Sequence, residues 1–361
     1  MNEPPTIVVG ASDEGPAPAG RGPGAATLVA AVVLILGVLW ALGRVAPLDE
    51  DYLPMTVRLV GSSAVEMEPR FYEISRTGVS EIPLPNLMRA EFDRSGRLLA
   101  GIAPSEADRG GVLSVGPPEG PFEPLSDEVR SFAWHDRLPG SLAYVSPWGP
   151  VAAISTWEEG ASTRERAIEG GLMHRFGDWG YAVTRPGPVR RADLYDASGR
   201  FGGQVRGYTA GTGPGEYLVF TPQAPVSSLE RTGVEAFGYT PEGTPFDVPW
   251  LEEGELPYVI EAAPDGQRYA VHLGGRYETG LGEVLITRPD GTLEAKISRA
   301  ATPAASAWST DGRYLAVTRR GLSGELEIGF YDLKNQTFDV ASVPEVPSSI
   351  VVWDIAVADT G

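Results

Sequence analysis

From about residue 55 onward, apolar residues come in short runs broken by Gly, Pro, Asp and Asn. No stretch sustains the 3.6-residue period of an amphipathic helix. What recurs is a short apolar strand, a Gly-containing turn and a second strand carrying Leu/Tyr-Ala-Val, the pattern of a β-hairpin. Clear copies lie at 90–103, 131–146, 261–273 and 306–318, with weaker ones at 173–184 and 211–221. The turn glycines are Gly96, Gly140, Gly180, Gly215, Gly266 and Gly312, and a last hairpin is expected around Ile355, so the spacing runs from 35 to 51 residues. After Gly312 the chain reads RYLAVT, a loop, ELEIGFYDL, a turn at Lys334-Asn335 and TFDVASV. Counting the first strand of the hairpin, that is four strands in one repeat, the content of a propeller blade.

The expected fold is therefore all-β, a β-propeller over residues 55–361. The last copy, IVVWDIAVADTG, has nothing after it, while residues 70–84 read as two strands around Thr77-Gly78 with no hairpin before them. Ring closure reconciles the two, with the N-terminal pair completing the blade that the C-terminus begins and hiding the edges an open array would expose. Seven hairpins predict seven blades, or six if the copy at Gly215 is a loop.

The N-terminal segment has a different pattern. Residues 1–23 are rich in Pro, Gly and Ala without period and are expected to be a disordered tail. Residues 25–43, AATLVAAVVLILGVLWALG, hold no charge and are bracketed by Arg21 and Arg44. Nineteen residues at about 1.5 Å each give about 28 Å of helix, close to the hydrocarbon core of a bilayer. This predicts a single membrane-spanning helix at 24–44 and a linker at 45–54. A cleaved signal peptide fits less well, because the leading segment is long, carries one Arg and is followed by Arg-Val-Ala-Pro instead of a small-residue site. The acidic run Asp49-Glu50-Asp51 and the large domain behind it place the propeller outside the cytoplasm.

Composition restricts the chemistry. The net charge is −19, and all but one unit of it falls after residue 47, which disfavours duplex nucleic acid and anionic headgroups as main partners. There is no cysteine, which removes disulfides, thiolate metal sites and thiol catalysis. Lys296 and Lys334 are the only lysines among 29 basic residues, a bias expected of a GC-rich bacterial coding sequence.

The pattern Trp308, Asp311, Gly312, Arg313, Tyr314, Leu315, Ala316 resembles the WD-repeat-like units of TolB-type propellers. Residues 264–270 and 95–100 match it less fully. Residues 135–140 and 176–180 lack its Asp-Gly turn. The resemblance implies the propeller fold and leaves activity open, because that repeat serves many functions.

A search for catalytic constellations nominates no catalytic, cofactor or metal residue. His135, His174 and His272 show no ligand spacing, although His135 and His174 fall in turn regions of successive repeats. The adjacent pairs Glu158-Glu159 and Glu252-Glu253 read as solvated loop acids, since neighbours on a strand face opposite ways. The glycine-rich stretch 207–217 lacks the Lys-Ser/Thr of a phosphate loop and reads as an inter-strand loop. His135 near Ser141 has no nucleophile motif around it. The expected function is a membrane-anchored binding or scaffold module for a protein or other ligand, presenting rim loops at 105–111, 156–165 and 251–255. The alternative is a propeller hydrolase or lyase with a carboxylate and arginine site at the central mouth.

Overall fold

The computed structural model describes residues 6–7, 53–63, 69–105, 110–147, 151–158, 161–169, 171–185, 191–206, 208–212, 218–221, 237–239, 245–247, 251, 257–273, 281–301 and 305–358. The expected spanning helix at 24–44, and all but two residues of the expected tail, lie outside them. Among the described residues no helix is long and apolar enough to cross a membrane.

Those residues form β-strands and turns arranged as a β-propeller. Six of the seven expected hairpins are present as antiparallel pairs toward the centre of the ring. Arg89–Phe92 pairs with Leu99–Pro104, Phe132–Trp134 with Ser141–Ser146 and Leu172–Gly177 with Gly180–Arg185. Tyr208–Thr212 pairs with Leu218–Thr221, Pro257–Ala262 with Tyr269–Leu273 and Ser306–Trp308 with Tyr314–Arg320. The copy marked by Gly215 is thus a strand pair where the six-blade alternative had a loop, and part of the glycine-rich stretch is the strand Tyr208–Thr212.

The turn glycines have a backbone reason. Gly96 lies at φ +67°, and a Cβ there would come within 2.8 Å of the Ala356 Cβ. Gly180, at φ +120°, would place a Cβ 2.0 Å from the Tyr195 carbonyl oxygen. Only glycine takes such φ values at no steric cost and allows a neighbouring sheet so close.

Ring closure takes place, through a different strand from the one expected. The last copy is one nine-residue strand, Ile350–Ala358, and its partner is Thr56–Ser63. Thr56–Ser63 continues to Pro69–Ser75 and then Gly78–Pro83, so a four-stranded sheet joins both ends of the ring.

Hydrogen bonding gathers the strands into six sheets, where seven separate blades were expected. Five sheets have four strands. The sixth has nine, because Ala300 in Leu293–Ala301 pairs with Arg319 in Tyr314–Arg320 and so joins the strand run of 257–301 to that of 306–342. Its ninth strand is Thr6–Ile7, which lies parallel to Lys296 and Ile297, so the expected disordered tail makes one short pairing. The expected rim loop at 156–165 is largely strand, with Thr156 opposite Thr163.

The apolar cores lie between neighbouring sheets. Val57, Leu59 and Tyr72 of the closing sheet pack on Leu326, Ile328 and Phe330. Phe132 and Leu142 pack on Ile102 and Leu113, and Val145 and Ile154 pack on Phe176 and Val183. Burial of both faces explains the continuous apolar runs such as Leu142–Val145, which no strict alternation would produce.

Candidate functional site

The first strand of each unit lines the centre of the ring with one edge unpaired, and its backbone needs partners there. Side chains of neighbouring units supply several of them. The Trp134 indole N–H donates to the Glu91 carbonyl at 2.9 Å. Trp308, at the corresponding place in its own repeat, donates to the Glu261 carbonyl at 3.3 Å. The Asp354 carboxylate accepts the Phe92 N–H at 2.7 Å, and Trp179 donates to the Asp136 carboxylate at 3.2 Å. Asp93 works in the same way, since it accepts Leu98 N–H within its turn and Gly140 N–H from the next sheet.

Arg94 follows the strand Arg89–Phe92, at the end of the ring that carries the glycine turns. Its Nη1 donates to the Asp136 carbonyl at 3.0 Å and its Nη2 to the Ala262 carbonyl. One guanidinium therefore ties three units together across this mouth.

Inside lies a cavity of about 460 Å³, within the range of small-molecule sites. Its polar wall includes Glu91, Glu261, Asp354, Arg175, His174 and Ser306, and its aromatic wall Trp134, Tyr258, Trp308 and Trp353. Glu261 and Asp354 sit deep in the ring yet keep some accessible surface, and both line this cavity. Burial pushes the Glu261 carboxyl up, against the Ser306 hydrogen bond and the charges of Arg94 and Arg175. Burial pushes Asp354 well above the usual carboxylate range, reinforced by Glu91 and Glu261 and opposed by the Phe92 N–H. Glu91 differs, because Arg89 donates to it on the same strand.

Behind the wall, the Ser306 hydroxyl stands 2.5 Å from Glu261 Oε2 and 2.7 Å from His272 Nε2. Burial holds the His272 imidazole neutral, with its pKa lowered to about 3. The order of these bonds is not that of a nucleophilic triad, in which the acid orients the far ring nitrogen. Here the acid takes the serine proton, leaving Ser306 to accept from Nε2, and His272 Nδ1 has no hydrogen-bond partner.

The other candidates from the sequence have structural employment or lie outside the described residues. His135 caps its own turn, with Nδ1 accepting Arg137 N–H at 3.1 Å and Leu138 N–H at 3.0 Å, so it replaces the Asp of the Asp-Gly turns. His135 and His174 both line the cavity, while His272 is one bond removed from it. Among the described residues no three His, Asp or Glu groups are placed to hold a metal ion. Glu158 ends an outer strand pair opposite Ala161. Glu159, Glu252, Glu253 and Asp49 to Asp51 are not among the described residues. Sequence reasoning missed Glu91, Glu261 and Asp354. The available signal was position, because Glu91 and Glu261 each fall five residues before a turn glycine.

Fold and cavity define the class: a β-propeller with a polar and aromatic chamber at its centre. No family model matches the chain, and no curated protein matches it. Similar solved structures include a eukaryotic initiation factor, at 12% identity over 81% of this chain and 86% of that one, with a TM-score of 0.38. Prolyl oligopeptidase B from Galerina marginata is 11% identical over 89% of this chain, which spans 55% of that protein, with a TM-score of 0.48. Hydrazine synthase from Kuenenia stuttgartiensis is 14% identical, over 76% of this chain and 90% of that one, with a TM-score of 0.44. At these values the likenesses carry nothing about activity.

Proposed function

We propose that the protein is a membrane-anchored binding module, a propeller held outside the cytoplasm by the helix at 24–44 that takes a ligand into its central cavity. The observation that carries this reading is the cavity of about 460 Å³ with carboxyls and aromatic rings on its wall. We count the nine-stranded sheet as two blades of four joined by one residue pair, which makes the ring seven-bladed, with units of the WD-like, TolB-type kind.

The hydrolase or lyase reading draws support from the same cluster of carboxyls, Arg and His. It is the weaker one, because Arg94 is spent on backbone carbonyls and Ser306 gives its proton to a carboxylate instead of to an activating imidazole.

The anchor and the Thr6–Ile7 pairing exclude one another, since a crossing at 24–44 puts residue 6 on the far side of the bilayer. Two residues of parallel pairing are worth about 1 kcal/mol per hydrogen bond. The run at 25–43 contains ten Leu, Val or Ile, each worth about 0.3–0.6 kcal/mol on insertion. The membrane term is the larger, and the pairing belongs to chains outside a bilayer.

Thr56 pairs with Ala358 at the turn end of the closing sheet, and the eleven residues from Arg44 to Thr56 reach at most about 40 Å. The linker therefore joins the ring on its turn face, within that distance of the bilayer. Protease treatment of intact cells, followed by crosslinking in native membranes, tests the reading. Digestion of the propeller with the tail protected, a captured partner or ligand, and no turnover of an ester and glycan panel are expected. Protection of the propeller, or turnover without capture, would overturn it.

A further inference from the structure

Glu261 and Asp354 break a general rule. Carboxyls this deep in a protein are paired with a cation or fully engaged by donors. Among the described residues no Arg, Lys or His stands within 4.0 Å of either carboxyl. Glu261 has the Ser306 hydroxyl. Asp354 accepts the Phe92 N–H, and the acids Glu91 and Glu261 reinforce the effect of its burial. Arg94 and Arg175 pull the Glu261 carboxyl down and Asp136 pushes it up, and burial outweighs the arginines.

The same wall carries Trp134, Tyr258, Trp308 and Trp353. Aromatic faces attract cations through their quadrupole, most strongly where water is excluded. Arg89, Arg94, Arg137 and Arg175 line the same cavity, but Arg89 donates to Glu91 and Arg94 to two backbone carbonyls. An ammonium supplies N–H donors to Glu261 and Asp354 and a partner for the rings.

From this juxtaposition we infer that the central cavity is a site for an organic ammonium ion, with Asp354 and Glu261 as its counter-charges and the ring of Trp and Tyr as its walls. The inference rests on the reading of the cavity as a ligand site and adds the chemical class. A cation beside them favours the ionised form of both carboxyls, against the upward push of burial.

The test uses the full chain in detergent and three probes of similar size, titrated calorimetrically: benzylammonium, benzyl alcohol and benzoate. Asp354→Asn keeps an acceptor for Phe92 N–H and Glu261→Gln one for Ser306, so both variants are expected to fold, with thermal unfolding as the check. Benzylammonium is expected to fill one site about tenfold more tightly than benzyl alcohol. Each variant should weaken the ammonium about fivefold or more without weakening the alcohol. Equal affinity for ammonium and alcohol, or an unchanged preference in the double variant, would overturn the inference. Benzoate or benzyl alcohol binding alone would overturn the ammonium class and leave the cavity as a ligand site, whereas binding of no probe would count against both.

Discussion

Single residues in this ring act mainly by finishing backbone hydrogen bonds that the inner strand edges leave open. Arg94 does this for two carbonyls at once. Arg94→Leu fills a similar volume but strands both carbonyls, and a loss of about 2–4 kcal/mol is expected, read as a lower urea midpoint at unchanged slope. Asp354 has a pH signature. Its folded pKa is raised above the ordinary 3.8, so its contribution is complete below about pH 4 and is lost as pH rises through the folded value. Asp354→Asn removes that loss, and its melting temperature should exceed the wild type by a growing margin from pH 5 to pH 8. Asp332 has the opposite sign. Hydrogen bonds from Arg313 and from the Lys334 and Asn335 N–H groups hold it at about 2. Its stabilisation is present above about pH 4 and fades as pH falls through 2, so Asp332→Ala should flatten the acid limb of the stability profile.

At the scale of elements, the two indole bonds repeat one device, a Trp of one unit donating to the inner edge of the unit before it. Trp134→Phe and Trp308→Phe keep the packing and lose the donor, at an expected cost of about 1–3 kcal/mol each. The sites lie in different inter-sheet cores, so chemical denaturation of the double variant should give nearly additive losses. The hairpins were legible because short apolar runs flank a turn glycine, whose φ is positive at Gly96, Gly140, Gly180, Gly266 and Gly312. The partner of Ile350–Ala358 was not legible, because Thr56–Ser63 is separated from it by nearly the whole chain. A nine-residue apolar run also reads as easily as a hairpin as it does as one strand. Blade number by hydrogen bonding was hidden for a similar reason, since the single Ala300–Arg319 contact has no sequence mark. The carboxyls of the cavity were invisible as a site because Glu91, Glu261 and Asp354 come from units far apart in the chain and meet only when the ring closes.

For the whole molecule, closure makes the ring one cooperative object. Removing residues 350–361 takes away the inner strand of the closing sheet, opens the edge of Thr56–Ser63 and uncovers Val57 and Leu59. Such a truncation is expected to aggregate on expression, and sedimentation or size exclusion reads this directly. The closed ring also creates the chamber, which Arg94 spans at one mouth and which acids, arginines and aromatic rings line, a space suited to hold something small. Native mass spectrometry of the protein purified from its own membranes tests that claim most directly. A single small-molecule adduct is predicted on the wild type, absent after Asp354→Asn with Glu261→Gln. A spectrum showing only the bare chain, or an adduct indifferent to both substitutions, would contradict it.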